Sequence, residues 1–156
     1  MVKIIYLLSG PILEMISKIK FTVPRSADGG KTWSKNIMVY TSPDSSVCEC
    51  CKPSVVMQDK HVYVMFRNWL HGNRDLYLIE SLDAGNTFGE AQKLGNDNWP
   101  LNGCPMDGGG IAINNNGAAQ TVWRRENKIY SCEPGSAEIE IAEGKNCTVE
   151  TVNNKN

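Results

Sequence analysis

No apolar run in this 156-residue chain approaches the roughly 20 residues of a membrane-spanning helix, so no such span is expected. Neither charge sign is in excess: Lys and Arg number 16 against 17 Asp and Glu. That balance argues against nucleic acid or an anionic membrane as the main partner. A sustained helical period is also missing. Fourteen glycines and many asparagines point instead to short strands joined by turns. The opening stretch, Met1-Val-Lys3-Ile-Ile-Tyr-Leu-Leu8, has the apolar look of a weak signal peptide. It is cut by Ser9-Gly10-Pro11, followed by Glu14, and lacks a clean small-x-small cleavage site, so it reads as a strand.

What the chain does have is one pattern written twice. Ser26-Ala-Asp28-Gly-Gly30-Lys-Thr32-Trp33 is the first copy and Ser81-Leu-Asp83-Ala-Gly85-Asn-Thr87-Phe88 the second. The aspartates lie 83 − 28 = 55 positions apart, a period that suits a propeller or another stacked array. Asp and Ser side chains accept hydrogen bonds from nearby backbone N–H groups, so they hold a tight loop unaided. Gly30 and Gly85 allow a positive φ. Thr32 or Thr87 closes the loop, and Trp33 or Phe88 is expected to begin the next strand and bury a large apolar surface. Calcium binding or acid catalysis would also use an aspartate here. A turn clip explains every residue of the octet without a ligand, and is the reading adopted.

These octets resemble the Asp-box, the BNR repeat of the sialidase-type β-propellers. The first copy matches fully; the second has Phe88 where Trp is usual. The resemblance extends through the strand pattern over roughly residues 20–145. It implies an all-β chain of four-stranded antiparallel blades, with each box joining the third and fourth strands on the face away from the active site. It also implies a periplasmic or secreted location.

About three blades fit the chain. Residues 1–47 make a degenerate blade, with Lys18–Val23 and Asn36–Thr41 around the first octet and a weak pattern, helical at Ile12–Ile16, before them. Residues 48–97 make the clearest blade: strands over Pro53–Met57, His61–Phe66 and Asp75–Ile79, then the octet, then Phe88–Leu94. Residues 98–146 make a blade without an octet, over Gly110–Ile113, Ala119–Trp123, Lys128–Cys132 and Glu138–Ile141. Residues 147–156 are a tail or the start of another blade. Sialidase-type propellers usually have six blades, and closed rings at least about four. A homodimer closing a six-blade ring is therefore the expected assembly.

Strands alternate direction, so the second-to-third loops share a face with the interblade connections, opposite the octets. Arg67, Trp69, His71 and Arg74 are placed in one such loop, and Arg124 and Arg125 in the next. Asp107 falls in a connection, within Pro105-Met-Asp107-Gly-Gly-Gly110, where a turn former is the leading reading. These seven are the candidate ligand-binding residues. Sialidases hold a substrate carboxylate with three arginines, because a guanidinium fork pairs bidentately with a planar anion. The family's early Arg-Ile-Pro motif is absent here; Pro24-Arg25 precedes an octet, on the wrong face. No Tyr–Glu nucleophile pair can be placed, and the catalytic residues stay unassigned.

Five of the six cysteines, Cys48, Cys50, Cys51, Cys104 and Cys147, fall on that same face. Three readings stay open for them: a disulfide from Cys48, Cys50 or Cys51 to Cys104, a soft-metal site for zinc or copper(I), or partly buried free thiols. No other cofactor is expected. Three functions follow: a propeller module binding glycan or protein on the face opposite the octets, an exo-sialidase-like glycoside hydrolase, and a thiol or metal protein. The first needs only the scaffold and is preferred.

Overall fold

The computed structural model of the chain describes residues 3–4, 7–9, 20–43 and 46–151. The helical expectation at Ile12–Ile16 lies outside the described residues. Every regular element among the described residues is a strand. Near the N-terminus, β1 (Lys3–Ile4), β2 (Leu7–Ser9), β3 (Lys20–Val23), β4 (Arg25–Ser26) and β5 (Ile37–Thr41) build two small sheets, one of β2-β3-β5 and one of β1 with β4. The central sheet contains β6 (Ser46–Val47), β7 (Ser54–Gln58), β8 (His61–Leu70), β9 (Asn73–Ser81) and β10 (Gln92–Lys93). The third is a four-stranded meander of β11 (Gly110–Ile113), β12 (Ala119–Arg125), β13 (Lys128–Cys132) and β14 (Ile139–Glu143). All pairings among the described residues are antiparallel.

β8 organises the molecule. Its β-branched and aromatic residues suit a pleated, doubly covered strand. Val62, Val64 and Phe66 point to one side, where they pack with Phe21, Val23 and Val39 of the first unit. Tyr63 and Met65 point to the other, where they pack with Ile111, Ala119 and Trp123 of the third. The central sheet is thus buried on both faces. Each side chain hidden in this way stabilises by roughly 1.5–3 kcal/mol.

Several boundaries differ from the sequence reading, for physical reasons. β8 and β9 continue to a two-residue turn at His71-Gly72, so Arg67, Trp69 and Arg74 lie on strands and His71 alone of that group sits in the turn. Likewise Arg124 and Arg125 end β12, and the turn is Glu126-Asn127. Charged residues can stay in these strands because their side chains find buried partners. The fourth strand of the central blade shrinks to Gln92–Lys93. Trp33 remains 37% exposed and begins no strand, since β5 starts at Ile37. Phe88 packs partly buried against the core on the first-unit side of β8.

The segment 42–52 is not a simple connection between blades. β6 pairs with the far end of β8 (Ser46 with Trp69, Val47 with Asn68), and β7 pairs with its near end (Ser54 with Met65 through Gln58 with His61). One innermost strand is therefore interrupted. Cys48 to Pro53 loop out of its middle, and the second unit begins before Cys48.

Candidate functional site

The two octets fold almost identically. In the first, the Ser26 hydroxyl and the N–H groups of Lys31 and Thr32 donate to Asp28 Oδ1 at 2.8, 3.0 and 2.9 Å, and the Thr32 hydroxyl to Oδ2 at 2.6 Å. In the second, Ser81, Asn86 and Thr87 repeat this on Asp83 at 2.8, 2.9, 2.9 and 2.6 Å. The serine hydroxyls accept from the N–H groups of Gly30 and Gly85, both at 2.8 Å. Both glycines have positive φ. The threonine hydroxyls, then backbone N–H groups and serine hydroxyls, hold both carboxyls well below the usual range. Each carboxylate is spent on its own turn.

The register places these turns at one end of the blade. The Ala84 N–H donates to Lys60 O at 2.8 Å, which sets the second octet beside the β7–β8 turn. The Cys48 N–H donates to Arg67 O at 2.9 Å, toward the other end of β8.

At that other end the candidate arginines turn inward. Arg67 is 1% exposed. Its guanidinium donates to the backbone carbonyls of Asp107 (2.9 Å), Arg74 (2.5 Å) and Arg124 (3.0 Å), tying two strand ends to the connector between blades. This corrects its placement as a surface ligand-binding group. Arg124 forms an ion pair with buried Asp107 at 3.2 Å and donates to Pro105 O. Arg125 pairs with Glu138 at 2.5 Å and Asp97 at 3.3 Å, and lies 4.0 Å over the Tyr130 ring. Arg74 stacks 4.5 Å over Trp69, so that ring is covered on one face. The Trp99 ring carries both Arg67 and Arg124, at 5.2 and 5.4 Å. His71 stays exposed in its turn, with its carbonyl accepting from Asn73 Nδ2. Asp107 is a turn former and anchor: its Oδ1 accepts from the Gly109 N–H at 3.3 Å and its Oδ2 from the Asn146 N–H at 3.0 Å.

Four of the five loop-face cysteines, Cys48, Cys50, Cys51 and Cys104, come together. Cys50 and Cys104 form a disulfide across 54 positions. Cys48 and Cys51 are buried free thiols, 3.1 Å apart at sulfur. Cys48 Sγ lies 3.5 Å from Cys50 Sγ and 3.8 Å from Cys104 Sγ, and Cys51 Sγ lies 3.9 Å from Cys104 Sγ. All four sulfurs fall within 4.8 Å of one another and could hold a metal. The Cys48 thiol donates to Cys51, which lowers the Cys51 pKa and raises that of Cys48. Burial of Cys48 adds to its rise; N–H groups of Asp107 and Met106 and the Arg67 charge favour the Cys51 thiolate. Cys147 stands apart from the cluster near Asp107, and Cys132 lies in the core, as a strand cysteine should.

Beside the cluster opens a cleft of about 540 Å³, between the starts of the inner strands β7 and β11 and the tail. Lys52, Pro53, Met106, Asn146, Thr148 and Glu150 line it, with Cys50 in its wall. A second hollow of about 790 Å³, lined by Trp99, Arg124 and Lys145 among others, shares Met106 and Asn146. Met106, 74% exposed with φ 53°, forms the ridge between them. The connector reaches this position because Gly108 passes tight against Lys52: a Cβ there would lie 1.7 Å from the Lys52 carbonyl oxygen. Lys52 and Thr148 were not among the sequence candidates. The position of Lys52, next to the cysteines on the loop face, was the available signal.

Stacked antiparallel sheets, of which the central one and the β11–β14 meander have five and four strands, with octets at one end and a cleft at the other, define blades of a sialidase-type β-propeller. The sequence matches the BNR repeat-like domain over residues 7–136, and the chain belongs to that family. The fold is similar to a point mutant of the NanB sialidase from Streptococcus pneumoniae, with TM-score 0.54, 14% identity, and coverage of 81% of this chain and 21% of that one. It is also similar to the leech intramolecular trans-sialidase complexed with 2,7-anhydro-Neu5Ac, with TM-score 0.51, 15% identity, and coverage of 80% and 19%. The chain thus spans about a fifth of the length of these solved structures. No curated protein matches the sequence.

Proposed function

We propose that this chain is a propeller module that binds an anionic glycan in the cleft beside Lys52. The observation that carries this reading is a division of labour among the cations. Arg67, Arg124 and Arg125 are engaged with carbonyls and carboxylates of the protein itself, whereas Lys52 is exposed at the cleft. The cleft pairs that charge with the Thr148 hydroxyl and the apolar Met106 ridge, the mixture a sugar ring with a carboxylate calls for. Location opposite the octets, and likeness to sialidase folds, support the same face.

A hydrolase of sialidase type would need a nucleophile and an acid beside an arginine clamp. No tyrosine among the described residues lines the cleft, and its Asp107 is paired with Arg124. Titration calorimetry with 3′-sialyllactose and with lactose tests the binding reading. Saturable binding is expected for the sialylated sugar, with its preference over lactose lost in Lys52→Ala. Absence of saturable binding to either sugar overturns the proposal. Turnover of a fluorogenic sialoside would replace it with the hydrolase reading.

A further inference from the structure

The four clustered cysteines are more than a staple. Cys48 and Cys51 are spaced Cys-x-x-Cys, with the Cys51 N–H donating to Cys48 O at 3.4 Å in a tight turn. That spacing, hidden in the run by Cys50, is a common zinc-ligand spacing. Four thiolates around zinc at about 2.3 Å place neighbouring sulfurs about 3.8 Å apart. The separations here are 3.1, 3.5, 3.8 and 3.9 Å for four of the six edges, and a fifth is the Cys50–Cys104 bond itself. Two separate chain segments thus deliver four sulfurs at nearly the size of one tetrahedron. Backbone N–H groups also point at them: Met106 donates to Cys104 Sγ at 3.4 Å, Cys50 to Cys48, and Asp107 and Met106 to Cys51. Such contacts orient and stabilise thiolate ligands.

The charge around the cluster makes a second, independent observation. Arg67 and Arg74 are buried, at 1% and 9% exposure, and neither forms an ion pair with a carboxylate among the described residues. The nearest acid on the connector, Asp107, is already paired with Arg124. The Arg74 Nε has no hydrogen-bond partner. The Cys48 N–H donates to Arg67 O at 2.9 Å, which sets this arginine's residue against the cluster. Buried guanidinium groups without a counter-charge are costly. A zinc ion held by four thiolates carries a net charge of 2−, which two guanidinium groups balance.

We propose that Cys48, Cys50, Cys51 and Cys104 form a four-thiolate zinc site when the Cys50–Cys104 disulfide is reduced, so that the cluster is a redox-gated metal centre in the wall of the cleft. Two equivalents of a thiol reductant break the Cys50–Cys104 bond, giving two protein thiols and one reductant disulfide. The four thiols then release four protons as they bind one Zn²⁺. A small-molecule disulfide as the two-electron oxidant re-forms the Cys50–Cys104 bond and is itself reduced to two thiols; with two ligands lost, the metal leaves and Cys48 and Cys51 take up protons again. This goes beyond the glycan reading and does not depend on it.

The test is anaerobic titration of the reduced full chain with Zn²⁺ against a chromogenic chelator, with Co²⁺ as a spectroscopic substitute. One zinc per chain is expected, with the thiolate-to-cobalt charge-transfer and ligand-field bands of a tetrahedral sulfur site. Metal release is expected on oxidation. Cys104→Ser and Cys51→Ser should lose the one-equivalent binding, whereas Cys132→Ser and Cys147→Ser should keep it. Cys104 is exposed, so its variant tests the ligand set even if Cys51→Ser fails to fold. Reduced native protein that binds no zinc, binds copper(I) but not zinc, or retains zinc after oxidation overturns the proposal.

Discussion

The guanidinium of Arg67, on β8, donates to the backbone carbonyl of Arg124, on β12, at 3.0 Å. One side chain therefore joins two neighbouring blades and, through Asp107 O and Arg74 O, the connector and β9 as well. Arg67→Leu removes all three donors while keeping an apolar stem. Each orphaned carbonyl is expected to cost about 1–3 kcal/mol. Thermal unfolding should show a large fall in Tm, or no soluble folded protein. Lys52→Ala should leave Tm nearly unchanged, and a Tm for Arg67→Leu close to native would show that the arginine is not structural.

The octet aspartates predict a pH dependence. The folded-state pKa values of Asp28 and Asp83 lie below the usual carboxylate value of about 3.9. A depressed folded pKa contributes stability that is complete above the unfolded pKa and fades as pH falls through the folded one. The stability gap between native protein and Asp83→Asn should therefore stay level above about pH 5 and shrink below about pH 4. Denaturant unfolding across that range measures it; a gap that widens toward acid would refute the clip.

Gly108 is expected to accept no side chain. The Cβ of Gly108→Ala would lie 1.7 Å from Lys52 O, a backbone atom that cannot swing aside. Overpacking at such a contact costs about 1–3 kcal/mol. The variant should lose stability and, because it displaces Lys52, lose 3′-sialyllactose affinity too. Calorimetry and thermal melting together check both, and unchanged values in both would contradict the close approach.

Ile139 and Ile141 of β14 are 63% and 52% exposed. Pairing of two chains into a closed ring is proposed to cover such edges of the outer blade. Light scattering coupled to size exclusion should give twice the chain mass, with Ile141→Lys shifting it toward the monomer. A stable folded monomer of the native chain would end the ring-closing proposal.

The all-β class, the antiparallel strand directions and the separation of octets from cysteines were legible because they rest on local signals. Turn chemistry at Asp83 and alternation from His61 to Phe66 need only near neighbours. Other features were not legible. Arg67 in a strand looks like a surface residue until three carbonyls, those of Asp107 and Arg124 from distant segments and that of Arg74 from the paired strand, surround it. The interruption of the inner strand by Cys48 to Pro53 depends on β8 pairing with both flanks, and the Cys-x-x-Cys pair was masked by Cys50 inside it.

By itself, then, the sequence determined the family, the antiparallel four-stranded unit and the face on which unusual residues gather, since turn bonding and side-chain periodicity are encoded within a few positions. The tertiary structure decided which of those residues are spent. Burial brings the carbonyls of Asp107 and Arg124 to Arg67, Asp107 to Arg124 and Cys104 to the Cys48–Cys51 turn, and the strength of each contact depends on partners more than a dozen positions away and on the exclusion of water between them.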